Sequence, residues 1–233
     1  PVREDPWLYG RGSVDDGYGG YLSILSILAL QQHNIPHPKA TFLIETCEES
    51  GSFDLPAYLD ELSELLGTPD LVVVMDSGAG DYERLWVTTS LRGLIGGTLK
   101  VGVSKEGVHS GMAGGIIPSS FRIARSIISR IEDQETGQIL LPELSIEISE
   151  DVENEAQGIA DVLGENVWTD FPTLEGVEPQ TPGLSEIILS GNWRPSLSVT
   201  GVDGMPSLKD AGNVLRTHTS LKLSMRIPPG VDA

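Results

Sequence analysis

Three clusters of carboxylates stand at the ends of apolar runs in this chain: Asp15-Asp16, Glu48-Glu49 and Asp76. The runs beside them set the pitch of the fold. Residues 18–32 (YGGYLSILSILALQQ) carry Leu22, Leu25, Ile27, Leu28 and Leu30 at helical spacing, and His33, Asn34 and Pro36 stop them. Residues 40–46 (ATFLIET) and 71–75 (LVVVM) are short β-forming runs. Between them, 53–66 reads as one helix with Ser52 at its N-cap and Gly67 as its stop. Helix, strand, helix, strand at this pitch predicts an α/β fold with a mostly parallel sheet covered by helices. Such a sheet presents the three acidic clusters at one edge. Gathered carboxylates repel one another unless something positive holds them, and the usual agent is a metal ion.

The pattern changes near Leu91. Residues 95–103 (IGGTLKVGV) alternate as a half-exposed antiparallel strand does, and 118–131 reads as a helix opened by Pro118. Residues 132–182 are acidic and weakly patterned, with short helices expected around 153–163, and strands return at 196–201 and 217–227. This half predicts an inserted α+β domain with an antiparallel sheet.

Composition narrows the partners. Net charge is −19, from 34 acidic against 15 basic residues, which argues against nucleic acid or an anionic membrane surface. No apolar stretch of transmembrane length occurs. Cys47 is the only cysteine, so no internal disulfide can form, and a reducing, cytoplasmic setting is expected. Residue 1 is Pro rather than Met, so the natural start is expected upstream.

Taken in order, Leu8-Tyr9-Gly10-Arg11-Gly12-Ser13-Val14-Asp15-Asp16-Gly17, Cys47-Glu48-Glu49-Ser50-Gly51-Ser52, Asp76-Ser77-Gly78 and His109-Ser110-Gly111 resemble the M20 family of metallopeptidases. The resemblance covers nearly the whole chain. It implies a first part of the catalytic domain over 1–91, a lid or dimerisation domain over 92–228, and a return towards the catalytic domain at 229–233. It implies two zinc ions about 3.5 Å apart, with manganese or cobalt as substitutes. Asp15 would bridge them, Glu49 would serve one and Asp76 the other. Glu48 would be the general base, taking a proton from the activated water and giving it to the leaving amine. The Asp15–Asp16 peptide is expected to be cis.

The same resemblance assigns residues in the second half. His109 would reach across a homodimer to the scissile carbonyl and stabilise its developing oxyanion. Asn213 and Arg226 would hold the substrate's carbonyl and free carboxylate, which the bidentate fork of arginine suits. The implied reaction is hydrolysis of a dipeptide with a free C-terminal carboxylate. Within the enzyme class the alternative is an N-acyl-amino-acid amidohydrolase. Outside it stands a non-catalytic homologue used for dimerisation or partner binding.

Two departures matter. The family's first and last zinc histidines fall outside residues 1–233, so each ion would keep two carboxylates, with Asp15 shared. Catalytic zinc takes three protein ligands, so weak zinc binding and little turnover are expected of this chain alone. The family's lysine two residues after the bridging aspartate is Gly17 here. The remaining candidates read as structural. His33 and His37 flank a turn, His218 sits in an edge-strand pattern, and Cys47 is a small hydrophobe rather than a nucleophile. The Gly96-Gly97 and Gly114-Gly115 pairs lack the lysine of a phosphate loop.

Overall fold

The structure, a computed structural model, describes residues 1–232. The chain divides into two compact units, Pro1–Ala79 and Gly80–Ala233.

In the first unit, strands β1 (Val2–Glu4) and β2 (Trp7–Tyr9) form an antiparallel hairpin around a cis Asp5–Pro6 bond. Helix α1 (Gly19–Gln32) begins one residue after the predicted run and ends where predicted, with Asn34 at φ 55° beyond it. The predicted helix over 53–66 is two helices, α2 (Leu55–Glu61) and α3 (Ser63–Leu66), broken at Leu62. Ser52 takes φ 53° in the preceding turn and is not the N-cap; Pro56 in the first turn of α2 sets its start. Gly67 ends α3 at φ 64°, as its position predicts.

The mostly parallel sheet is the main correction. Among the described residues, every pairing between strands is antiparallel, and 40–46 and 71–75 form no strand. A strand exists through its ladder partners, whatever its own propensity. These apolar runs have none, and Leu71, Val72, Val73 and Val74 stay exposed.

The second unit meets the antiparallel prediction. Strand β3 (Gly93–Gly102) leads to β4 (Val108–His109), the short helix α4 (Ser110–Ala113) and helix α5 (Ser120–Ile128). Pro118 does not open α5; Ser119 does, its Oγ accepting the Arg122 amide. The weakly patterned region holds a 14-residue helix, α6 (Glu150–Leu163), then α7 (Asn166–Thr169), and α8 (Leu184–Asn192) follows it. Strands β5 (Ser196–Asp203), β6 (Val214–Leu215) and β7 (His218–Ile227) complete the unit.

The main sheet has the order β3-β7-β5, so β7 is central. His218 therefore begins a central strand and not an edge one. Helix α5 packs on β3 and β7, where Ser120 and Ala124 of the helix and Thr219, Leu221, Met225 and Ile227 of the strand are buried. A second core joins α6 to α8 through Ala156, Ala160, Ile188 and Leu189, the alanines allowing close helix approach. A separate two-stranded sheet pairs β4 with β6 and sets His109 opposite Val214.

Candidate metal and substrate sites

The loop from Gly10 to Asp15 and Glu49 line one cleft of the first unit. The loop closes on itself, because the Gly17 amide donates to the Gly12 carbonyl at 2.7 Å. A Cβ on residue 17 would stand 2.5 Å from that carbonyl oxygen. This close approach accounts for glycine where the family pattern has lysine. The Asp15–Asp16 peptide that follows the loop is cis, as expected.

Glu48, Glu49 and Ser50 form one 3-10 turn, closed by Gly51 at φ 101°. Neighbouring side chains on such a turn point about 120° apart, so Glu48 and Glu49 face different directions. Glu49 is nonetheless tied to Asp15. Its carboxyl holds its proton above the usual carboxylate range, first through the Asp15 charge and a hydrogen bond with Asp15, then through Glu48 and Asp76. Asp76 is raised as well, first by burial and then by the charges of Asp15 and Asp16. Asp15 thus stands in reach of both partners that the sequence assigned to it.

A cation would offset the carboxylate charges that raise Glu49 and Asp76, and hard oxygen donors suit a divalent one. No three described His, Cys, Asp or Glu residues stand in a group tight enough to close around one ion. Among the described residues the acids thus form no finished metal cage. Cys47 takes no part: its thiol donates to Glu45 at 3.3 Å, a bond that raises its pKa and keeps it a thiol.

In the second unit, pairing of β4 with β6 brings two sequence candidates together. His109 faces Val214 across the ladder, and the Ser110 amide donates to the Asn213 carbonyl at 2.9 Å. Arg226 lies elsewhere. It is eight residues along β7 from His218, about 27 Å at an antiparallel rise. Asn213 itself precedes β6, outside the strand that carries Arg226. His109, Asn213 and Arg226 are all exposed.

One residue near Arg226 escaped the sequence reading. Half-buried Arg92 donates to the carbonyls of Ser190 and Arg194 and to Ser196 Oγ, at 3.2–3.3 Å. Ser196 is the cross-strand partner of Arg226. Burial, and after it the Arg226 charge, lowers the Arg92 pKa. A lone arginine before a strand carries no signal in the sequence; its partners lie about a hundred residues away.

Two of the remaining histidines make hydrogen bonds of their own. His37 Nδ1 donates to the Pro38 carbonyl at 2.8 Å, and His218 pairs with Thr217 and Asp203. No helix among the described residues is long and apolar enough to cross a membrane.

Comparison with known proteins places these features in a family. A model of the peptidase dimerisation domain (M20_dimer) matches residues 89–233. Among curated proteins, the chain is similar to a probable di- and tripeptidase, DUG2, of Saccharomyces cerevisiae, with 26% identity over 97% of this chain and 24% of that protein. It is similar to the beta-Ala-His dipeptidase of Mus musculus, with 25% identity over 97% of this chain and 46% of that one. The crystal structure of human carnosine dipeptidase 1 shares the fold, with a TM-score of 0.67 at 23% identity over 99% of this chain and 49% of that chain. The chain thus spans half or less of the length of these relatives.

Proposed function

This chain belongs to the M20 peptidase dimerisation family, and from that premise we propose that it is part of a dizinc hydrolase. The substrate is a dipeptide with a free C-terminal carboxylate. The observation that carries the reading is the position of Asp15, which acts on both Glu49 and Asp76. Relatives named as dipeptidases support the substrate class.

In this reading Asp15 and Glu49 hold one ion, and Asp15 and Asp76 the other. When bound, the zinc pair supplies Lewis acidity and makes water acidic enough to be deprotonated near neutral pH. Glu48 would carry a proton between water and the leaving amine; its place on the 3-10 turn, facing a different direction from Glu49, leaves it free for this task. Arg226 receives the substrate carboxylate, and its strand neighbour Ser196 holds Arg92 close by. His109 and Asn213 serve the scissile carbonyl.

The length of β7 supports a homodimer. Arg226 lies about 27 Å along β7 from His218, and the His109–Asn213 pair belongs to a separate sheet, whereas a dipeptide spans about 7 Å. Two copies, each lending its His109 end to the other's site, remove the mismatch. The assigned domains are 1–91 for the zinc-binding part, 92–228 for the lid and 229–233 for the return. The compartment is the cytoplasm.

Two carboxylates per ion fall short of the three protein ligands of a catalytic zinc site. This chain alone is therefore expected to bind zinc weakly and to turn over little. The test is zinc content and dipeptide hydrolysis of this chain beside a version carrying the full length of its relatives. Hydrolysis by the longer form, lost on Asp15→Ala, supports the reading. Hydrolysis that survives Asp15→Ala and chelation of zinc defeats it.

A further inference from the structure

His109 occupies the N-cap of the four-residue helix α4, and its Nδ1 lies 3.1 Å from the Gly111 amide nitrogen, which donates to it. A backbone amide can only donate, so the Nδ1 that receives it must present a lone pair. In a neutral imidazole the proton then resides on Nε2. The backbone on either side is held as well: His109 pairs with Val214, and the Ser110 amide bonds the Asn213 carbonyl.

The neighbouring glycine permits the arrangement. A Cβ on residue 111 would stand 3.0 Å from His109 Cε1 and 3.1 Å from Nδ1, closer than a methyl group sits comfortably against an aromatic ring. A side chain at 111 would require the imidazole to give by a few tenths of an ångström where it meets the amide.

We infer that the Gly111 amide locks neutral His109 as its Nε2–H tautomer, so that the side chain acts only as a hydrogen-bond donor. The one free lone pair of the neutral ring is already taken. His109 therefore cannot accept a proton from water or ligate a metal without first breaking the bond to Gly111. What remains is donation through Nε2, which suits a carbonyl oxygen gaining negative charge. The inference rests on the reading of His109 as the residue that meets the scissile carbonyl, and it names Gly111 as the positioning residue. His37 supplies an internal contrast. Its Nδ1 faces a carbonyl oxygen, which can only accept, so His37 carries the opposite tautomer.

The test is a two-bond proton–nitrogen correlation spectrum of this chain with labelled histidine, at a pH where imidazoles are neutral. With four histidines in the sequence, the signals are separable by single substitutions. His109 should show an unprotonated Nδ1 and a protonated Nε2, with a through-hydrogen-bond coupling from Nδ1 to the Gly111 amide. His37 should show the reverse. In Gly111→Ala the coupling is lost and His109 averages between tautomers, while the rest of the spectrum stays that of the folded chain. A protonated Nδ1 at His109 in the unsubstituted chain overturns the inference, as does a lock that persists in Gly111→Ala. Dipeptide hydrolysis by the full-length enzyme separates the other failure. A rate unchanged by His109→Ala, with the Nε2–H signature intact in the parent, removes the proposed catalytic use of His109 and leaves its tautomer assigned.

Discussion

The hydroxyls of Ser120 and Thr219 meet at 2.8 Å inside the second unit, with both residues buried. The bond ties the first turn of α5 to the central strand across 99 residues of sequence. Each hydroxyl is the partner the other needs away from water. We expect Thr219→Val to lower unfolding free energy by about 1–3 kcal/mol, because it leaves the Ser120 hydroxyl buried and unpaired. The double variant Ser120→Ala/Thr219→Val should recover most of that loss. Urea unfolding of the three proteins checks the ranking, and a double variant worse than Thr219→Val alone would contradict it.

Asp15→Asn separates the two causes that raise the neighbouring carboxyls. The Asp15 charge is the largest influence on Glu49, whereas burial leads at Asp76. In metal-free protein, the Glu49 pKa should therefore fall markedly and the Asp76 pKa by less. Carbon-detected titration of the side-chain carboxyls measures both. Equal shifts would contradict this ranking, and no shift at either position would argue against a shared Asp15.

Asp133 gives the second unit a dependence on acid. Its carboxyl sits below the usual range because the Thr136 hydroxyl donates to it at 2.8 Å, joined by the amides of Thr136 and Glu135. A folded-state pKa below the unfolded one stabilises the fold above the unfolded value, about 3.9. That contribution is lost as pH falls through the folded value. We expect Asp133→Asn to be less stable than the parent at neutral pH, with the gap closing as pH drops below about 3.9. A gap that stays constant across that range would contradict the assignment.

Arg92 fastens the C-terminal end of α8 and the start of β5 through three acceptors. Arg92→Met keeps much of the stem but removes every one of these bonds. For a half-buried charged donor the expected loss is about 1–3 kcal/mol, read as a lower melting temperature with the folded-state spectrum retained. A melting temperature unchanged in Arg92→Met would show that these bonds contribute nothing net.

Some elements were legible because their signals are local. The α1 pattern from Leu22 to Leu30 needs only its own spacing, and His33, Asn34 and Gly67 stop helices by their own backbone preferences. The alternation in β3 and β7 and the motif that joins Gly10 to Asp15 are likewise written in neighbouring residues. Helix α6 covers the helices expected around 153–163, and its earlier start could have been found from Ser149, whose Oγ accepts the Val152 amide, followed by Glu150, Asp151 and Glu153 in the first turn. Its acidic character hid an apolar stripe of alanines that only packing against α8 makes visible.

Short motifs by themselves carried the family resemblance, which implies that Asp15, Glu49 and Asp76 belong together. Spacing also determined the antiparallel character of the second half, because period-two alternation is a property of the chain. Partners at long range were decided only in three dimensions. Hydrogen bonds and burial depend on what lies opposite, so the apolar run from Leu71 to Met75 stayed without a ladder. For the same reason Asn213 fell beside the His109 loop while Arg226 went to the far end of the strand.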